Sequence, residues 1–289
     1  MKTIQKLFTA LGTVNSITIW CKDDQSKAMR QVLENIERAV LSADDRWSLF
    51  KEKSELNRLA AAAGTGSVAV QPDTIELFQI AKEYAALTGG AFDITAQVSG
   101  ARGDYRDILP DADGKTVTLR HGGMRADFGG IAKGYVADRI VGYLRANGVD
   151  RALINLGGTV YSLGQRRTIG IRNPFAPLNE HYPEQSVAFL ESEEEFVVTS
   201  GVYEQKEHII NPVTGQFVDS DLLSVTVVGK NGAAADAMAT ACMVLNLATS
   251  INLLEQMHLE AIFITMGGNV IATRSLRKRL TMANMEVSA

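Results

Sequence analysis

Three short segments of this 289-residue sequence combine residue types that could do chemistry together. The first is Asp127-Phe128-Gly129-Gly130-Ile131-Ala132-Lys133-Gly134-Tyr135, at the start of a predicted helix. Two glycines let backbone approach a ligand closely. Free N–H groups at a helix start favour an anion, and Lys133 adds a positive charge within one turn. A phosphate suits this chemistry, with Asp127 free to accept from a sugar hydroxyl or a ring N–H. The same pattern also reads as a capped helix start with glycines for packing. It is neither the GxxxxGK[ST] loop nor the GxGxxG turn. The second segment is Asp236-Ala237-Met238-Ala239-Thr240. Residues four apart share a helix face, so one carboxylate and one hydroxyl form a hard-oxygen pair suited to Mg²⁺ or Ca²⁺. They could equally serve the helix itself, through its dipole and its carbonyls. The third is His208-Ile209-Ile210-Asn211-Pro212-Val213-Thr214-Gly215, a strand running into a turn. His208 is one of four histidines. Just upstream, Thr199-Ser200-Gly201 reads as a small polar turn able to contact phosphate.

The elements that must hold these segments follow from periodicity. Val14–Trp20, Thr116–Leu119, Ala152–Leu156, Thr168–Arg172, Leu222–Val228 and Ala261–Thr265 read as strands. Lys27–Ser42, Thr74–Leu87 and Ile131–Ala146 have helical apolar spacing, and Ile251–Met257 reads as a further short helix. Ala233–Leu247 is small and apolar throughout, a buried helix. Ser54-Glu55-Leu56-Asn57 offers a helix cap, and Gly89-Gly90 a helix stop. Asn155-Leu156-Gly157-Gly158 ends a buried strand in a tight turn. Asn179–Gln185 reads as a loop. Strands in local groups with helices between them predict an α+β fold, a mixed and largely antiparallel sheet packed on helices, rather than a doubly wound sheet. One domain over residues 1–289 accommodates the pattern.

The composition is that of a globular protein, with 46% hydrophobic and 21% charged residues. A net charge of −4 gives no basic face for nucleic acid. Arg274, Arg277, Lys278 and Arg279 read as a solvated tail. Cys21 and Cys242 lie in apolar segments without CxxC partners and read as buried thiols in a reducing compartment. No hydrophobic core follows Lys2 and Lys6, so a signal peptide is not expected. Thr18-Ile19-Trp20 before Cys21 argues against a lipid anchor. No run of 18 apolar residues exists, so a membrane span is not expected. A cytoplasmic location is the expectation.

Taken in order, the segments are more specific than any one alone. Ser-Glu-Leu-Asn (54–57), Gly-Ala-Phe-Asp (90–93), the Asp127–Tyr135 segment, Asn-Leu-Gly-Gly (155–158), Thr-Ser-Gly (199–201), the His208–Gly215 segment and Ala-Asp-Ala-Met-Ala-Thr-Ala (235–241) succeed one another. This succession resembles the FAD:protein FMN transferases, the ApbE-type family, from about Leu11 to about Asn269. The resemblance implies an α+β fold with FAD in a cleft and Mg²⁺ near its pyrophosphate. It implies attack by a threonine hydroxyl of an acceptor flavoprotein on the FMN phosphate, with AMP leaving. Acceptors of the family include redox-pump subunits and soluble reductases. By the same resemblance, Asp236, Thr240 and the Gly130 carbonyl bind the metal. Lys133 and Asp127 hold the dinucleotide. Leu11, Phe50, Ala91, Phe92, Asp93 and Ile210 contribute to the FAD site. His208 matches the general base. The sequence departs from the family's pattern at Asn211 and Val202, in a shorter Gly201–His208 link, and in lacking a Trp-Gly segment between Thr95 and Asp107.

Overall fold

Leu11 and Gly12 reverse the chain in two residues, both at positive φ (54° and 73°). That turn joins β1 (Lys2–Ala10) to β2 (Thr13–Cys21) as an antiparallel hairpin. The computed structural model describes residues 1–96, 103–176, 185–201, 209–212, 214–218 and 220–283. After the hairpin comes α1 (Ser26–Trp47), which buries Met29, Val32, Leu33, Ile36, Val40, Ala43 and Trp47 along one stripe. Next is α2 (Glu55–Ala62), started by Ser54, whose hydroxyl accepts the Asn57 N–H at 3.1 Å. Then follow β3 (Ser67–Ala69) and α3 (Pro72–Leu87), with proline in its first turn and Gly89 and Gly90 at positive φ beyond its end. The chain continues through β4 (Ile108–Asp111), β5 (Thr116–Leu119) and α4 (Ala132–Ala146), then β6 (Ala152–Leu156), β7 (Thr159–Leu163), β8 (Arg167–Arg172), β9 (Ser186–Ser192) and β10 (Phe196–Gly201). It ends with β11 (Leu222–Gly229), α5 (Gly232–Val244), α6 (Leu247–Gln256), β12 (Glu260–Thr265), β13 (Val270–Ala272) and β14 (Leu280–Met282).

Among the described residues, eight strands form one sheet in the order β1-β2-β6-β7-β10-β11-β12-β13. Every pairing in it is antiparallel. Two three-stranded sheets, β14-β9-β8 and β3-β5-β4, flank it. The expected α+β architecture is the one observed. Alternation along the central strands explains the layers. Val198, Val225, Val227, Ala261 and Phe263 face the helices in the main core. Val197, Val228, Ile262 and Ile264 face the opposite way, onto Ile171, Ala188 and Leu190 of the β14-β9-β8 sheet. A strand buried on both faces carries apolar residues on both, and Leu222–Val228 does so with Ser224 and Thr226 buried among them.

Several expectations need correction. Lys2–Ala10 is a full edge strand. The segment Thr199-Ser200-Gly201 is the end of β10, paired with Thr226, Val225 and Ser224, and not a turn. The basic run is no tail: Arg279 pairs with Glu195 at 2.8 Å, and β14 follows it onto β9. Cys21 and Cys242 are free and buried, as read. No helix among the described residues is long and apolar enough to cross a membrane.

Candidate active site

The site is built where two tight hairpins, the C-terminal end of α1 and the start of α4 meet the buried helix α5. Phe128 anchors the Asp127–Gly130 loop. Its ring sits edge-on to Phe78 at 4.8 Å and to Trp47 at 5.8 Å and is fully buried. With Phe128 fixed in the core, its neighbours Asp127, Gly129 and Gly130 are held at the wall of a cavity of about 560 Å³.

At one end of this cavity the structure brings Gly130, Lys133, Asp236 and Thr240 together. A Cβ on Gly130 would lie 2.9 Å from Thr240 Oγ1, so only glycine fits that approach. Thr240 Oγ1 lies 3.3 Å from Ser200 Oγ, at the end of β10. Asp236 is 2% exposed. Its Oδ2 accepts the Gly134 N–H at 2.9 Å, and its Oδ1 lies 4.0 Å from Lys133 Nζ. Lys133 Nζ also donates to the Gly129 carbonyl at 3.0 Å. The Asp236 carboxylate and the Thr240 hydroxyl are hard oxygen donors of the kind Mg²⁺ takes. No group of three or more His, Cys, Asp or Glu side chains among the described residues could hold a metal alone. A cation here would therefore need oxygens from water and from the substrate.

One part of the phosphate-cradle reading is corrected. The first turn of α4 does not present a row of open N–H groups. Ala132 N–H donates to the Phe128 carbonyl at 2.8 Å and Gly134 N–H to Asp236. The anion at this helix start is the Asp236 carboxylate, and among the described residues that line the cavity Lys133 is the cationic side chain.

Asp127 lies on the cavity wall, with Oδ1 accepting the Gly129 N–H at 2.8 Å. Burial pushes its pKa up, opposed by the Gly129 N–H and the Lys133 charge. Ala91 and Phe92 are buried behind the same wall. Asp93 lines the cavity, but its oxygens serve its own loop. Oδ1 accepts the Thr95 N–H and hydroxyl, each at 2.8 Å, and Oδ2 the Tyr105 N–H at 3.1 Å. Burial raises its pKa against those three bonds. Phe50 stands at the rim, 99% exposed. Leu11 also lines the cavity. Ile210 also lines the cavity and bridges to Phe217 in a small hairpin closed by Asn211 N–H donating to the Gln216 carbonyl at 2.8 Å. His208, Val202 and the rest of the Gly201–His208 link lie outside the described residues, as do Val213, residues 97–102 of the Thr95–Asp107 stretch and most of Asn179–Gln185.

Two contributors were not legible in sequence. Asp44, on α1, accepts the Leu11 N–H at 2.8 Å across the cavity wall. Asp138, on α4, accepts the Gly232 and Ala233 N–H groups at 2.8 and 2.9 Å and so caps α5 beside Asn231. Neither carries a local motif, because each acts on a distant segment.

Residues 11–263 match the sequence model of the ApbE family. The chain belongs to that family. It is 30% identical over 271 residues to the FAD:protein FMN transferase of Klebsiella pneumoniae (strain 342), covering 82% of this chain and 83% of the relative. It is also 30% identical over 320 residues to the FAD:protein FMN transferase of Treponema pallidum (strain Nichols), covering 93% and 86%. The fold matches that of the flavin transferase ApbE from Vibrio cholerae with a TM-score of 0.80 at 22% identity, over 96% of this chain and 99% of the other. The ApbE protein from Thermotoga maritima matches with a TM-score of 0.83, also at 22% identity and over 96% and 99%.

Proposed function

We propose that this protein transfers the FMN half of FAD to a threonine hydroxyl of an acceptor protein, in a Mg²⁺-dependent phosphoryl transfer that releases AMP. The observation that carries this reading is the meeting of Gly130, Lys133, Asp236 and Thr240 at one end of a 560 Å³ cavity. The names of the relatives supply the reaction class.

In this reading the threonine Oγ attacks the phosphorus next to FMN, and the P–O bond to AMP breaks. The hydroxyl proton passes to His208, an assignment that rests on its motif. Lys133 offsets charge on the phosphates, and Asp127 accepts from the nucleotide. Phe50 and Leu11 flank the flavin ring, with Ala91, Phe92 and Ile210 completing the apolar lining. Asp93 then acts through its loop rather than on the ligand. Asp236, Thr240 and the Gly130 carbonyl would hold Mg²⁺, which when bound lowers the charge on the transferred phosphate and its leaving group. A redox-pump subunit or a soluble reductase is the kind of acceptor the family uses. Two buried free thiols fit a cytoplasmic protein.

The test is intact-mass measurement of a threonine-containing acceptor after incubation with FAD and Mg²⁺. A covalent FMN adduct is the expected result, and His208→Ala is expected to slow its formation by about 10²–10⁴-fold while FAD still binds. Free FMN and AMP without an adduct would make the protein a pyrophosphatase. Unchanged bound FAD would make it a binding protein.

A further inference from the structure

We propose that Asp44 is a positioning residue that ties two segments lining the cavity into one preformed surface; its bearing on flavin rests on the reading of that cavity as the FAD site. Asp44 lies near the end of α1, and its side chain is mostly buried. Its two oxygens go to two different segments. Oδ1 accepts the Leu11 N–H at 2.8 Å. Oδ2 accepts from the Lys51 ammonium, which also pairs with Asp45 at 2.6 Å.

Each segment needs that hold. Leu11 sits at φ 54°, where a bulky side chain is unfavourable and persists only if its surroundings enforce it. The Asp44 bond is such a constraint. The neighbouring turn adds a second, since a Cβ on Gly157 would lie 2.4 Å from the Thr13 methyl. In the other segment, Phe50 is 99% exposed and gains nothing from packing. What orders it is its backbone: Asn57 Nδ2 donates to the Leu49 and Lys51 carbonyls, each at 2.9 Å. The Lys51 side chain fastens that segment to Asp44. The hairpin is tied to α1 independently, further along, by Lys6 and Glu37 at 2.6 Å. Loss of Asp44 therefore frees the turn without undocking the hairpin. A ligand held between Leu11 and Phe50 binds a surface whose ordering cost is already met.

Hydrogen exchange of the ligand-free protein, read by mass spectrometry, tests the tie, and flavin fluorescence titration tests its consequence. Asp44→Ala should speed exchange in residues 8–14 and in residues 48–53 together, leaving residues 152–163 unchanged. Asp44→Asn keeps an acceptor for Leu11, and Lys51→Met removes only the other arm. Both should loosen residues 48–53 alone. FAD affinity should fall by about tenfold in Asp44→Ala, the scale of one charge-assisted hydrogen bond, with kcat at saturating FAD within about threefold of wild type. The inference is overturned if Asp44→Ala leaves residues 8–14 protected, or if exchange rises equally across the sheet. It is also overturned if both segments loosen while FAD affinity is unchanged. If the segments loosen together but the wild type itself does not bind FAD, the tie stands and the substrate reading fails.

Discussion

Asp236 does two jobs with two oxygens. One accepts from the backbone of α4, and the other faces Lys133 at the end of the cavity. Asp236→Ala should therefore abolish metal-dependent turnover, by at least the roughly 10–100-fold that loss of even an outer-shell metal partner costs, while FAD binding survives. Lys133→Ala should do the reverse in part, weakening FAD binding by about tenfold through loss of a charge-assisted contact. Fluorescence titration beside a turnover assay separates the two; equal FAD affinity in wild type and Lys133→Ala would remove the phosphate from this end of the cavity. Asp93 makes a prediction about pH. Its folded pKa is raised by burial, so between the ordinary and the raised value the folded state holds a proton that the unfolded chain has released. Its contribution to stability is present below the ordinary carboxylate pKa of 3.8 and is lost as pH rises through the raised value. The destabilisation caused by Asp93→Asn, measured by urea melts, should thus be smaller at neutral pH than near the ordinary carboxylate pKa. A difference that grows with pH would mean that the three hydrogen bonds outweigh burial.

At the scale of elements, the site depends on how closely α4 and α5 approach. A Cβ on Gly134 would lie 2.1 Å from the Gly232 carbonyl oxygen, and one on Gly232 would lie 2.5 Å from the Gly134 carbonyl oxygen. The two helices touch backbone to backbone there, which is what lets Asp236 reach the Gly134 N–H. Gly134→Ala must push them apart. Overpacking of this kind costs about 1–3 kcal/mol, and here the same displacement moves Asp236 relative to Lys133. Both the melting temperature and metal-dependent turnover should fall. A variant that melts lower yet turns over normally would show that the spacing serves packing alone.

The whole molecule places its cavity where the helical layer meets the ends of central strands, so a ligand there touches both layers. Binding should stabilise the fold as a unit. At a concentration 100 times its Kd, a ligand adds about 2.7 kcal/mol. For a chain of this size that corresponds to a rise of roughly 4–5 °C in Tm. FAD with Mg²⁺ should give that rise in a thermal melt, and EDTA should reduce it. No shift with FAD at concentrations that saturate a flavin site would contradict the substrate assignment.

The helices α1, α3 and α4 and the strand pattern of β2, β6 and β11 were legible because each buries a face whose period is written in consecutive residues. So was the hard-oxygen pair on α5, since four-residue spacing on a helix is a local fact. The glycines at 129 and 130 were legible as a close backbone approach, and only the family resemblance put Gly130 beside Thr240. β1 was missed because an edge strand with polar residues on its solvent face resembles a charged leader. Thr199–Gly201 was misread because three small polar residues look like a turn until β11 is seen to pair with them. The α4 start was legible as an anion site, yet the anion that occupies its Gly134 N–H is a carboxylate 102 residues later in the chain. Asp44 and Asp138 left no local trace. Their function is a single hydrogen-bond geometry to a distant backbone, and a side chain's type does not record which N–H the fold will bring within 3 Å of it. The sequence alone therefore determined the main helices, several of the strands, the donor chemistry and the family; only the tertiary structure decided which oxygens are already engaged and which remain for a ligand, because that depends on distances between segments far apart in the chain.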